Sequence, residues 1–221
     1  MTDGRDRDRR VRRLGVRHPP LQARSEETRD RLLEAALACF LEEGVAASST
    51  ARIAERAGVT RGAYLHHFGS REDLIAAAIG HLMAGTMGSI EATIRRLFTE
   101  PPAPELLLHV WRDAYPDAYF AGYEMMLLCR HAPRLRRAWK QQSDALARRR
   151  RRVLLELFPE PLVDGRVNPF LEGFADFFRG IKLMEVVRTE AETRAVIAAM
   201  SPVLLEELRA LQSLRGATVD A

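Results

Sequence analysis

The chain has 221 residues, 47% hydrophobic and 29% charged, with a formal net charge of +4. That is long enough for a sizeable core and has the composition of a globular protein. No apolar run of membrane-spanning length is expected, and no apolar segment follows the charged N-terminus, so the reading is a cytoplasmic protein with no membrane partner.

Residues 1–24 hold eight Arg against three Asp, a local charge of +5, and reach Pro19-Pro20 near their end. The composition predicts a disordered basic arm, either a phosphate-attracting tail or a solvated extension. A first helix is predicted over 25–43, with Leu33, Ala36, Leu37 and Phe40 on one face and Gly44 closing it. Residues 25–86 carry six Arg and nine Asp or Glu, so any basic surface there must come from local placement. Arg52, Arg56, Arg61 and Arg71 provide it.

The segment 49–68 then spells two short helices around a glycine. Ile53, Ala54 and Ala57 share a helical face, and Ala54 is small enough for a second helix to cross closely. Gly58 supplies the permissive backbone that ends the first of these helices. Val59 fills the wedge, and Thr60 is suited to N-cap the next helix, which places Arg61, Gly62 and Ala63 in its first turn. In a helix-turn-helix that turn reaches base edges. Ser70 with Asp73 begins a fourth helix through Leu74, Ile75, Ala78 and on to Met83.

Gly44, Ser48, Ser49, Ile53, Ala54, the run 57–63, His66-His67-Phe68 and the run 70–74 resemble the N-terminal domain of TetR-family transcriptional regulators, over about residues 25 to 85. The resemblance implies an all-α protein: a three-helix helix-turn-helix domain at 25–85 and a larger helical regulatory and dimerisation domain at 86–221. It implies double-stranded operator DNA, a small-molecule effector and a second copy of the chain as partners. Arg61, Gly62 and Ala63 would read the major groove, while Ser49, Thr50, Thr60, His66, His67 and Arg71 would lie on or near phosphates. The family usually places a tyrosine just before its His-Phe segment and uses the hydroxyl on a phosphate. Here the order is Tyr64-Leu65. Leu65 cannot replace that hydroxyl, and Tyr64, still a candidate DNA contact, points about 100° away and is expected to be partly packed.

Beyond Gly88, helices are predicted at 88–99, 104–114, 116–131, 133–158, 168–188 and 191–214, punctuated by prolines. Pro202 either kinks the last helix or restarts it. The stripes Phe170, Phe174, Phe177, Ile181, Met184 and Ile197, Leu204, Leu208, Leu211 suit either a monomer core or a partner helix. The resemblance favours a dimer. Two readers related by a dyad would match a palindrome with half-sites one turn, about 34 Å, or a multiple apart.

Residues 130–152 carry nine Arg and Lys140 against Asp144. Five successive arginines, 148–152, cover every helical face, so at least one must lean inward. The register Leu135, Trp139, Gln142, Leu146, Arg149, Val153 selects Gln142 and Arg149. An inward arginine needs an anionic or hydrogen-bonding partner, either a protein carboxylate such as Glu124, Glu172 or Asp176, or an effector with a carboxylate or phosphate. Tyr119, Tyr123, Met126 and Arg130 along one helical face complete the candidate effector residues, in a cavity expected to be apolar with few polar groups.

Enzyme signatures are missing: no glycine-rich phosphate loop, no G-x-S-x-G and no H-E-x-x-H. His66-His67 are adjacent and therefore poorly placed for one metal. Cys39 and Cys129, among apolar residues, read as buried free thiols. The expectation is a ligand-responsive, sequence-specific repressor with no cofactor and no metal. The alternative is an all-α small-molecule carrier or enzyme that binds no operator.

Overall fold

The computed structural model describes residues 21–215. Among them every regular element is helical. α1 (Leu21–Glu43) starts four residues earlier than the sequence suggested, directly after Pro19-Pro20, so the end of the expected arm is helical. The rest of that arm lies outside the described residues. Gly44 ends α1 at φ +83°, a conformation that disfavours any residue with a Cβ.

α2 (Thr50–Arg56) and α3 (Arg61–His67) follow, each begun by a side-chain cap, of which Thr60 is the one predicted. Ser49 Oγ accepts from Arg52 N and Thr60 Oγ1 accepts from Ala63 N, both at 3.1 Å. Between them Gly58 takes φ +65°, and the Val59 N–H returns to Ala54 O at 3.0 Å. The helices α1 to α3 close over Leu32, Leu33, Phe40, Ile53, Ala54 and Phe68.

α4 (Arg71–Thr99) corrects two expectations. The breaks anticipated between Met83 and Gly88 do not occur: one helix of 29 residues runs through, about 43 Å long at 1.5 Å per residue. Glycine in a helix costs only about 1 kcal/mol, and packing along the helix outweighs it. The same helix is long and apolar enough, by length and composition, to cross a membrane, contrary to the expected absence of such a run. Its charges cluster at the two ends, and the Ala, Gly, Ser and Thr between them conceal the stretch from a search for bulky apolar residues. Here it ties two cores together. Leu74, Ile75, Ala78 and Ile79 enter the first, while Ile94, Leu97 and Phe98 enter the second.

The second core is built by α5 (Pro104–Ala114), α6 (Ala118–Leu128), α7 (Pro133–Leu155), α8 (Asn168–Met184) and α9 (Glu190–Ser213). α7 ends three residues short of its expected limit. A short turn, Glu160–Leu162, and a wide π-helical turn, Val163–Val167, lead into α8. α9 opens with a reciprocal capping box between Thr189 and Glu192, and Pro202 sits inside it without ending it. The expected boundary at residue 85 falls inside α4. The first core also draws in Ala121, Met125, Cys129 and Leu135 from α6 and α7. Both cysteines are buried and free.

Candidate functional site

Two regions follow from this arrangement: the exposed start of α3 and a cavity in the second core. At the first, Thr60, Arg61 and Gly62 are exposed and Ala63 is half-buried. Gly62 carries a negative φ, and a Cβ built there would meet only Thr60 Oγ1 at 3.8 Å. The fold itself therefore does not demand glycine at that position. Arg61 joins no ion pair among the described residues, whereas the other arginines of the motif are engaged. Arg52 pairs with Glu43 at 3.2 Å and Glu55 at 3.4 Å, and Arg56 pairs with Glu42.

Arg71 requires a correction. Its guanidinium donates to the carbonyls of Ser48 and Val45, bracing the α1–α2 turn from the start of α4. A phosphate would have to compete with both bonds. Tyr64 is corrected as well: it is 3% exposed, and its hydroxyl is buried without a hydrogen-bond partner. Leu65, by contrast, is 51% exposed. The swapped order has buried the phenol and put a leucine on the surface, as 100° of helical rotation requires.

Ser49 and Thr50 start α2, with Ser49 exposed and its hydroxyl used as the cap. His66 is exposed and His67 half-buried, with ring centroids 5.4 Å apart at 74°. Burial holds the His67 pKa below the ordinary imidazole value, with the charges of His66 and Arg29 adding to the effect.

The cavity, about 80 Å³ in volume, lies among α4, α5, α6, α7 and α8. Ile94, Leu97, Tyr115, Tyr119, Leu171 and Phe174 are among the residues of its wall, and Arg150 and Arg179 reach it. Of the six residues selected from sequence, only Tyr119 lines it. Tyr123 donates to Arg179 O at 2.7 Å, and burial raises its pKa to about 12. Met126 and Arg130 are exposed and away from the cavity. Gln142 packs against Gly80, with Nε2 3.4 Å from where a Cβ would stand.

Arg149 is the larger correction. Its side chain is 49% exposed and pairs with Glu91 of α4, not with Glu124, Glu172 or Asp176. The inward arginine is Arg150, 13% exposed, with Nε 2.8 Å from Asn168 Oδ1 and Nη2 2.6 Å from Glu172 Oε1. The apolar register was one position out at this end of α7. Arg179 was missed altogether, because on α8 it interrupts an aromatic stripe and reads as a solvated charge.

Contacts also cross from α6 and α7 to the α1–α2 turn and the start of α4. Glu124 of α6 accepts from the Val45 N–H at 2.6 Å, and its carboxylate also lies 3.3 Å from where a Gly44 Cβ would be. Arg134, at the start of α7, pairs with Asp73 in the first turn of α4.

Residues 32–78, which contain the capped helix pair, match the model of the bacterial regulatory proteins of the tetR family. Over that segment the chain is similar to the TetR family. Among curated TetR-type relatives, the HTH-type transcriptional regulator AcrR of Shigella flexneri is 37% identical over 89 residues, covering 39% of this chain and 41% of that protein. An uncharacterized HTH-type regulator of Mycobacterium bovis is 32% identical over 116 residues, 52% of this chain and 60% of its own length. The chain thus spans about half the length of these relatives.

Solved structures carry the TetR-type fold over more of the chain. A structure from Mesorhizobium loti assigned to the family superposes with a TM-score of 0.62 at 16% identity, covering 88% of this chain and 99% of the other. The multidrug binding protein EbrR, solved with imidazole, gives 0.53 at 20% identity, over 78% and 93%. At those identities the likeness shows the fold alone.

Proposed function

We propose that the protein is a ligand-responsive repressor that binds a palindromic DNA operator as a homodimer in the cytoplasm, with residues 25–85 as the reader and 86–221 as the regulatory and dimerisation unit. The observation that carries the reading is the start of α3. An uncommitted arginine, a glycine that the fold does not need and a capped, exposed turn together suit close approach to a major groove. Arg61 reads base edges. Ser49, Thr50, Thr60 and His67 position phosphates, with His66 nearby and Ala63 against the groove wall. Tyr64 and Arg71 are not part of this interface.

Dimerisation is supported by the outer faces of α8 and α9. Of the stripe Ile197, Leu204, Leu208 and Leu211, three residues are buried in the chain's own core and Leu204 packs against it partly buried, so that stripe is not the partner-facing one. Leu183, Met184, Val187, Met200 and Val203 remain exposed, an apolar surface of the kind that a second copy covers.

The cavity supports an effector site, and the multidrug binding by EbrR shows that a neighbour of this fold accommodates small molecules. An effector wedged between α4 and α6 would change the position of α4 and of the Glu124 contact, and with them the spacing of the two readers. The test is selection of bound sequences from a random DNA pool, followed by anisotropy titration. Wild type should enrich a palindrome, and Arg61→Ala should weaken binding by about 1–3 kcal/mol with its helical content unchanged. An unselective wild type, or an Arg61→Ala variant with undiminished affinity, would sink the reading.

A further inference from the structure

The effector class can be read from which polar atoms of the cavity already have partners. Arg150 commits Nε to Asn168 and Nη2 to Glu172, and Arg179 commits Nη1 to Asp176. Among the described residues this leaves Nη1 of Arg150 and Nε and Nη2 of Arg179 without an acceptor. Two hydroxyls on the same wall, of Tyr119 and Thr93, are likewise without a hydrogen bond. Burial raises the Tyr119 pKa, so that hydroxyl stays protonated at neutral pH and can donate.

No carboxylate lines the cavity. The two acids that pair with the arginines, Glu172 and Asp176, have side chains 58% and 72% exposed, and Arg179 itself is 42% exposed, so solvent screens these charges while Arg150, 13% exposed, borders the apolar interior. A cation placed there would face the like charge of Arg150 where solvent screens it least. A neutral apolar molecule would leave the donors unsatisfied. An anion with two acceptor oxygens answers both objections, because guanidinium presents paired N–H groups to a carboxylate.

We infer that the effector is a small organic carboxylate with an aryl or alkyl body: the carboxylate lies against Arg150 and Arg179, the Tyr119 hydroxyl donates to it, and the apolar body rests against Tyr115 and Phe174. This rests on the reading of the cavity as the effector site. Charge and hydrogen bonding set the class, and the aromatic wall sets the body.

The probes are phenylacetate, phenylethanol and phenylethylamine, which share a skeleton and differ in charge, titrated calorimetrically into the full chain. Phenylacetate should bind about tenfold or more tighter than the alcohol, and the amine weakest of the three. Arg179→Met should abolish the preference for acid over alcohol while alcohol binding persists, which shows the cavity intact. Arg150→Met should do the same, with circular dichroism checking its fold because Arg150 is the more buried of the pair. Equal binding of acid and alcohol, tighter binding of the amine, no binding by any probe, or an acid preference that survives both substitutions would overturn the inference. Arginine-dependent acid binding that leaves operator affinity unchanged would instead establish the site and count against the regulatory reading.

Discussion

The Val45 N–H donates to the Glu124 carboxylate at 2.6 Å, although the two residues lie 79 positions apart. The bond crosses from α6, which carries the cavity residue Tyr119, to the turn that leads into α2. Glu124→Ala removes the acceptor. A hydrogen bond to a charged group is worth about 1.5–3 kcal/mol, and the partial exposure of Glu124 places the loss at the low end. The expected outcome is a modest drop in denaturation midpoint together with a changed ratio of effector-bound to free operator affinity. Gly44→Ala should cost more, since its φ of +83° strains any Cβ and that Cβ would stand 3.3 Å from the same carboxylate.

Gly62→Val tests whether the start of α3 is open for a partner. A Cβ there meets nothing closer than Thr60 Oγ1 at 3.8 Å. Thermal stability should change by less than about 1 kcal/mol, while operator affinity in an anisotropy titration should fall steeply. Loss of folding with no specific loss of binding would refute the assignment.

The buried, unpartnered Tyr64 hydroxyl predicts that Tyr64→Phe is neutral or stabilising by up to about 1 kcal/mol and leaves DNA binding unchanged. Leu65→Tyr should do the opposite to function. It puts a phenol on the exposed face, where it should raise affinity for operator DNA at low salt, read by repeating the titration across ionic strength.

His67 gives a pH dependence of two signs. Its pKa is held down in the folded chain, so the unfolded chain takes up the proton first. Stability is therefore full above the ordinary imidazole value of about 6.5 and falls as pH drops from there through the folded pKa. Phosphate beside the ring favours the charged form, so operator affinity should rise over the same interval. Melting curves and titrations at about pH 7.5 and about pH 5.5 measure both. His67→Gln should flatten each response.

Legibility from sequence tracked how local the cause was. Thr60 and Ser70 cap their helices as read, and Gly44 and Gly58 take positive φ, because caps and turns depend on a few neighbouring atoms. The all-α architecture was equally legible. The unbroken α4 was not, since two glycines argue for a break and only the long packing against α7 overrides them. The membrane-length apolar run within α4 also went unseen, hidden by small residues.

The cavity divided in the same way. An arginine-rich α7 had to turn one guanidinium inward, and the composition of 148–152 makes that unavoidable. Which one depends on how the C-terminal end of α7 meets α8, and a shift of one residue, about 100°, moves the role from Arg149 to Arg150. Sequence by itself determined the capped helix pair, the family it resembles and the need for an inward arginine. Tertiary structure decided that Arg71 braces a turn, that Tyr64 is core, and that Arg150 and Arg179 both line one cavity, because those outcomes depend on contacts between residues far apart in the chain.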